Sequence, residues 1–142
     1  MKHSFLTVFA ALMAFALTSC QDAVKQVAGT YSYKISGQAT IDGDQVRLTD
    51  EVGALELIPI DSITALVTFN ALNGPVYTTQ AEIHADQISL STYERDLTVN
   101  LTDYHLTVSG SGTIYDQTIL INLQYEGEDF SADQLTLLCK KN

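Results

Sequence analysis

Residues 97–108, LTVNLTDYHLTV, alternate apolar and polar side chains along two short runs on either side of Asp103. Successive side chains of a β-strand point to opposite faces, so a repeat of two gives each run one apolar and one polar face. The apolar faces comprise Leu97, Val99 and Leu101 before the turn and Tyr104, Leu106 and Val108 after it. The stretch therefore predicts an antiparallel hairpin that turns at Asp103, packs one face on a core and exposes the other.

The same pattern extends in both directions from this hairpin. Asp42-Gly43 has the chemistry of a two-residue hairpin turn, and Pro59 indicates a strand end or an edge strand. Turn-forming residues punctuate the chain at 42–43, 50–53, 71–75, 84–86, 92–95, 109–112 and 126–129. They separate about ten strand candidates at intervals of roughly 8 to 12 residues, with no long helical pattern between them. The sequence predicts an all-β antiparallel meander, closed into a barrel or folded into a sandwich, and we favour the barrel because closure removes sheet edges.

The start of the chain has the pattern of a bacterial lipoprotein signal. Lys2 precedes an apolar run over residues 5–17. The quartet Leu17-Thr18-Ser19-Cys20 resembles the lipobox, in which the cysteine thiol is alkylated with a diacylglycerol and the preceding peptide is removed. The apolar run is shorter than the roughly 20 residues that a transmembrane helix needs, so a membrane-spanning helix or a short buried helix is the weaker interpretation.

This signal predicts both the domain organisation and the location of the protein. Residues 1–19 form a signal peptide, residues 20–27 a lipidated cysteine and polar tether, and residues 28–142 one domain. Two or three acyl chains on Cys20 would give a stable membrane anchor. Gln21 differs from the aspartate that retains some lipoproteins at the inner membrane, so we expect the outer membrane, with the leaflet left open.

The charge of the chain restricts its partners. After removal of the signal, 6 Lys and Arg residues face 17 Asp and Glu residues, because Lys2 is the only charged residue removed. A net charge of this sign argues against nucleic acid, whose phosphates require a basic surface. It also predicts repulsion from anionic lipid headgroups, so that the lipid anchor alone would contact the membrane.

The residue types that carry chemistry are sparse. Cys139 lies in an apolar strand candidate, which favours a buried, inert thiol over a nucleophile. His84 and His105 are too few for a transition-metal site, and the acidic turns lack the ligand spacing of a calcium loop. No catalytic motif accompanies the serines or carboxylates. We therefore expect no enzyme activity, no metal and no cofactor.

Three short stretches carry a family resemblance: Gly29-Thr30-Tyr31-Ser32-Tyr33, Gly110-Ser111-Gly112-Thr113-Ile114 and Leu137-Leu138-Cys139-Lys140-Lys141. They resemble the calycin-like lipoproteins of anaerobic Gram-negative gut bacteria over residues 28–142. The resemblance implies a lipocalin-like up-and-down β-barrel of about eight strands. Lipocalins have Gly-x-Trp at the first strand beneath a basic residue of the last strand, and the counterparts here would be Tyr31 and Lys140.

Asp61-Ser62-Ile63 resembles the acceptor of periplasmic O-glycosylation used by the same group of bacteria. The resemblance makes Ser62 a candidate for modification. The other interpretation of the tripeptide is a turn in which Asp61 caps the next strand.

Two functions remain open at this level. In the first, a lipid-anchored monomer holds a small apolar or amphipathic ligand inside the barrel. The tyrosines that would line such a pocket or plug the barrel are Tyr31, Tyr33, Tyr104 and Tyr125. In the second, the barrel is solid, and an envelope interaction or structural protein contacts another protein or a glycan through its surface.

Overall fold

The structure, a computed structural model, describes residues 23–142. The predicted signal peptide at residues 1–19 and the predicted lipidation site at Cys20 lie outside the described residues. Within residues 23–142 one short helix precedes ten β-strands. No helix in that range is long and apolar enough to cross a membrane.

The helix and strands take up most of the described chain. Helix α1 spans residues 23–27. The first five strands are β1 Gly29–Ser36, β2 Gln38–Ile41, β3 Asp44–Arg47, β4 Glu51–Pro59 and β5 Thr64–Ala71. The last five are β6 Val76–His84, β7 Gln87–Val99, β8 Thr102–Tyr115, β9 Thr118–Gly127 and β10 Phe130–Lys141.

Eight of these strands close into an antiparallel barrel. They pair in the order β1-β4-β5-β6-β7-β8-β9-β10, and β10 returns to β1. The closing pair runs from Tyr31 opposite Lys141 to Ser36 opposite Thr136. β2 and β3 form a hairpin that attaches to the first residues of β10. The predicted antiparallel barrel of about eight strands is confirmed.

The two ends of the barrel carry different parts of the chain. The proximal end contains α1, the connections at 60–63, 85–86 and 116–117, and the last residue, Asn142. Val24 of α1 is buried in the core and covers this end. The distal end contains the turns at 42–43, 72–75, 100–101 and 128–129, including the tip of the long β7–β8 hairpin.

The barrel interior is filled by its own side chains. Alternate residues of every barrel strand point inward, and the largest of those that are fully buried are Tyr31, Tyr125, Phe69, Ile83, Leu106, Ile119, Leu123, Leu135 and Leu137. An apolar void of about 10 Å³ lies in the middle, lined by Leu55, Val67, Ile121 and Cys139 among others. A void of this size is at the lower limit for one water molecule, so the interior is a packed core.

The β7–β8 hairpin turns at Asn100 and Leu101, not at Asp103, so the predicted turn position is wrong. Val99 pairs with Thr102, and the two turn residues have positive φ angles of 51° and 68°. Leu101 is 100% exposed, whereas we predicted it on the apolar face. A two-residue turn of this type twists in the same sense as its strands, and this match outweighs the apolar preference of one side chain.

Three other predicted turns lie mostly or wholly inside strands. Residues 92–95 belong to β7, 109–112 to β8, and 51–53 to β4. At 109–112 the glycines permit close strand approach, since a Cβ atom on Gly112 would lie 1.9 Å from the carbonyl oxygen of Leu120. The turn at Asp42-Gly43 is confirmed, and β4 ends at Pro59 as expected.

Candidate functional site

A line of irregular pairings crosses the outer wall of the barrel. In β7, residues 91 and 92 together oppose Ser109 of β8, which is a β-bulge. In β10, residues 133 and 134 together oppose Gln124 of β9. Ser109 and Gln124 pair directly with each other, so the two bulges lie on one line across four strands. Because bulges bend the strands that contain them, the wall is creased along this line.

The crease continues into a gap between β2 and β10. The β1–β10 ladder stops at Ser36 opposite Thr136, and the β2–β10 ladder resumes at Thr40 opposite Ser131. The residues between these pairs do not pair with one another. Gly37, with a φ of +145°, bends the chain here, and a Cβ atom on it would lie 2.7 Å from Cδ2 of Leu135. The wall therefore opens at Gly37.

A polar hollow of about 600 Å³ occupies this opening. We call it the wall groove. Its polar side chains are carboxamides, hydroxyls and two carboxylates: Gln38, Thr40, Gln45, Gln124, Glu126, Ser131, Asp133 and Gln134. Carboxamides and hydroxyls each both donate and accept hydrogen bonds, so the groove offers donors and acceptors to a polar ligand.

Two shallower hollows extend the wall groove along the crease. One, of about 640 Å³, adds Thr92, Thr107 and Ser109, and another, of about 260 Å³, adds Ser89, Ser111 and Asn122. Gln124 lines all three hollows. The result is an elongated polar strip from β2 to β7, longer than a compact pocket for one small molecule.

On the inner side of the wall, a buried ion pair lies among aromatic rings. The Nη2 atom of Arg95 is 2.8 Å from Oε1 of Glu51, and the Arg95 side chain is 4% exposed. Nη1 donates to the hydroxyl oxygens of Tyr77, at 2.9 Å, and Tyr125, at 3.3 Å. The guanidinium carbon lies 4.5 Å from the centroid of the Tyr77 ring. This cation–π contact and the ion pair offset the cost of burying the charge.

Neighbouring side chains satisfy the hydrogen-bonding capacity of the Glu51 carboxylate. Its Oε2 accepts hydrogen bonds from the hydroxyls of Tyr33 and Tyr77. Burial raises the pKa of Glu51, but the hydrogen bonds from Arg95, Tyr77 and Tyr33 outweigh burial and hold it below its usual value. Since every partner is engaged, this cluster supports the fold and leaves no free polar atom of the ion pair for a ligand.

The structure separates the four predicted tyrosines. Tyr33 and Tyr125 meet at the buried ion pair. Tyr31 lies at the proximal end, where its hydroxyl donates to the carbonyl of Val27. Tyr104 is half-buried near the distal tip, with its ring centroid 5.2 Å from that of Phe130. Tyr31, Tyr33 and Tyr125 fill the interior, which fits the plug interpretation for those three.

The basic side chain that covers the Tyr31 ring belongs to Lys141. The expectation that Lys140 takes this role is therefore wrong. Nζ of Lys141 lies 5.9 Å from the centroid of the Tyr31 ring and donates to the carbonyl of Gln26. Lys140 is exposed, because it occupies the outward register position of β10.

The remaining candidate residues lie apart. His84 ends β6 at the proximal end, and His105 lies in the distal part of β8, where Nδ1 is 2.8 Å from Asp96. Cys139 is fully buried, and burial raises the pKa of its thiol to about 12, so its predicted burial is confirmed. Ser62 is exposed beside Asp61, whose carboxylate accepts the N–H groups of Ile63 and Thr64. The predicted cap is thus present, and modification of Ser62 stays a prediction.

Sequence reasoning missed the buried ion pair and the wall groove. Glu51 and Arg95 were assigned to turns, although each keeps the inward phase of its strand: Glu51 with Gly53 and Leu55, Arg95 with Tyr93 and Leu97. That phase was the available signal for the ion pair. No sequence signal marks the wall groove, because the position of a bulge depends on pairing between strands.

Comparisons with known proteins assign no family to this chain. No family model matches the chain, and no curated protein matches it. A solved structure of a redesigned β-barrel is similar, with 14% sequence identity and a TM-score of 0.47. The similarity covers 84% of this chain and 95% of that one.

Proposed function

We propose that this protein is a lipid-anchored, extracytoplasmic binding protein whose wall groove recognises a neutral glycan. The observation that carries the proposal is the creased outer wall, where two aligned bulges and the gap at Gly37 create an elongated polar strip. Bulges are over-represented next to functional sites, where they redirect side chains.

The chemistry of the strip supports a polyhydroxylated ligand. Sugar hydroxyls donate and accept hydrogen bonds, as do the carboxamides of Gln38, Gln124 and Gln134. The carboxylates of Glu126 and Asp133 accept hydrogen bonds from hydroxyl groups and repel phosphate or sulfate. The length of the strip suits several linked sugar units.

The filled interior argues against the other hypothesis, a small apolar ligand inside the barrel. The central void of about 10 Å³ is far smaller than the 300 to 1,000 Å³ typical of ligand pockets. Among the tyrosines predicted to line a pocket, the hydroxyls of Tyr33 and Tyr125 are engaged with Glu51 and Arg95, and that of Tyr31 with the carbonyl of Val27.

The location of the protein is a proposal from the sequence. The Leu17-Thr18-Ser19-Cys20 quartet supports a lipid anchor at Cys20, and Gln21 supports the outer membrane. An anchored binding protein of this kind would hold envelope or external polysaccharide close to the cell. We propose binding and not catalysis as its role.

A glycan array followed by calorimetric titration tests this function. We expect the domain of residues 20–142 to retain at least one neutral glycan. Gln124→Ala should weaken that binding about tenfold, because Gln124 lines every part of the strip. Gln117→Ala is the matched control, since Gln117 is an exposed glutamine in the proximal turn between β8 and β9 and lines none of the three hollows.

Two results would contradict the proposal. One is an array on which no neutral glycan is retained by the folded domain. The other is a glycan whose affinity is lowered equally by Gln117→Ala and Gln124→Ala, which would place the contact outside the wall groove.

A further inference from the structure

The proximal end exposes large apolar side chains at the end of β4 and in the connection between β4 and β5. Ile58, Ile60 and Ile63 are 42%, 52% and 40% exposed. Tyr115, 60% exposed, adds an aromatic ring where β8 ends, at the same end of the barrel. We call these four residues the proximal rim. Exposed apolar groups can form a contact surface. Because the distal end also exposes Val52, Leu72, Val76 and Leu101, the position of the anchor and the distribution of charge decide between the two ends.

The chain itself brings the proximal rim close to the predicted anchor. Helix α1, described over residues 23–27, covers the proximal opening with Val24. Cys20 precedes Ala23 by three positions, and an extended chain spans at most about 3.6 Å per residue. A lipid on Cys20 would therefore hold the proximal end within about 11 Å of the lipid surface.

Charge is distributed unevenly between the two ends. The distal half contains ten exposed acidic residues: Asp42, Asp44, Asp50, Glu94, Asp96, Asp103, Glu126, Glu128, Asp129 and Asp133. The proximal turns contain Asp61, Asp86 and Asp116, with Glu56 and Glu82 on the adjoining wall, and Lys25, Lys140 and Lys141 lie at the same end. The electrostatic repulsion from anionic lipid headgroups that the net charge predicts therefore acts mainly at the distal half. The proximal end can approach a bilayer.

We infer that the proximal rim rests on a lipid bilayer, with Ile60 and Ile63 inserted at the boundary between headgroups and acyl chains. This inference depends on the lipid anchor of the proposed function. Amphipathic surfaces bind at that boundary by burying apolar side chains to a depth of about 5 to 10 Å. In this orientation the distal half, with most of the wall groove, points away from the membrane and stays accessible to a glycan.

Tryptophan fluorescence tests the orientation without ambiguity, because the chain contains no tryptophan. Ile60→Trp places a reporter on the proximal rim, and Leu72→Trp places one at an exposed apolar position of the distal end. Each lipidated, mature variant is reconstituted into phosphatidylcholine vesicles, with or without bromine near the carboxyl end of one acyl chain. We expect blue-shifted emission for Ile60→Trp and quenching at least about twofold stronger than for Leu72→Trp. Matching melting curves for both variants and the wild type confirm that the fold is retained.

The outcomes separate the inference from the anchor. If both variants float with the vesicles but show equal quenching, the anchor stands and the resting orientation is wrong. If the mature chain carries no lipid mass, or floats equally well as Cys20→Ser, the anchor itself fails. A sugar found on Ser62 of the native protein would overturn the inference, because it would stand between Ile60, Ile63 and the bilayer.

Discussion

At the scale of single residues, Arg95 has the least expected environment in the barrel. A guanidinium is costly to bury, and it persists only where its donors and its charge are matched. Here Glu51 supplies the opposite charge, two tyrosine hydroxyls accept hydrogen bonds, and the Tyr77 ring faces the cation. Because these partners come from β4, β6 and β9, the ion pair ties together strands that do not all adjoin.

Arg95→Met should therefore destabilise the protein strongly. It leaves the Glu51 carboxylate partly buried without its cation, and we expect a loss of about 3 kcal/mol in the free energy of unfolding. Urea denaturation measures this. Arg47→Met is the control, because Arg47 and Asp50 form an exposed pair whose loss should cost below about 0.5 kcal/mol. The double variant Arg95→Met with Glu51→Leu should recover part of the loss, and equal effects of Arg95→Met and Arg47→Met would contradict this account.

The same ion pair predicts a dependence of stability on pH. The folded pKa of Glu51 lies below its usual value of 4.5, so its stabilising contribution is fully present above that value. The contribution is lost as the pH falls through the folded pKa. Melting temperatures of the wild type and of Glu51→Gln, measured from about pH 7 to about pH 3, should converge as the pH falls. Parallel curves over that range would show that Glu51 is not the group responsible.

Burial of individual residues could be predicted only where the local pattern was regular. Cys139 was correctly placed in the core because Leu135, Leu137 and Cys139 alternate without interruption. Arg95 was not, because the inward phase that it shares with Tyr93 and Leu97 does not by itself decide between a buried arginine and a residue in a turn. Only the contact with Glu51, distant in sequence, distinguishes the two cases.

At the scale of elements, the tip of the β7–β8 hairpin has a strained residue. Asn100 and Leu101 both adopt left-handed backbone angles, which asparagine accepts readily and leucine does not. Leu101 is also fully exposed, so its side chain contributes no packing. The strain persists because the two long strands impose the turn.

Leu101→Gly should consequently stabilise the protein, by about 0.5 to 1 kcal/mol, because Asn-Gly is the preferred sequence for this turn. The melting temperature checks the change. Thr102→Gly is the matched control at the next position, where the backbone is extended and glycine should destabilise by about 1 kcal/mol. Destabilisation by both substitutions would contradict the assigned turn.

The sequence predicted the number and type of the secondary-structure elements better than it predicted where each strand begins and ends. About ten strands were expected and ten are present in residues 23–142, but β7 and β8 continue through the predicted turns at 92–95 and 109–112. A bulge shifts the phase of a strand by one residue, so an alternating pattern looks interrupted where the strand in fact continues. The wall groove lies on this line of interruption, which is why it had no signature in the sequence.

At the scale of the whole molecule, the meander pattern in the sequence predicts that the sheet closes into a barrel. It does not predict whether the barrel interior is filled by side chains or holds a ligand. Inward-facing positions of an eight-stranded barrel can either fill the interior or surround one small ligand. Both cases show the same alternation of inward and outward side chains. They differ only in the total volume of the inward side chains, and that total cannot be worked out while the register of the strands is unknown. Here the rings of Tyr31, Tyr33, Phe69 and Tyr125 supply the volume that closes the interior.

A solid barrel predicts that the native protein carries no cargo in its interior. The central void of about 10 Å³ is at the lower limit for one water molecule, so no organic molecule fits without repacking the core. Native and denaturing mass spectra of the protein isolated from the cells that produce it should agree at the mass of one chain with its covalent additions. A barrel protein of known cargo, measured alongside, shows that the method preserves such complexes. A native mass that exceeds the denatured mass and persists in Gln124→Ala would place a ligand inside the barrel. If the excess disappears in Gln124→Ala, the cargo occupies the wall groove and the interior is closed as described.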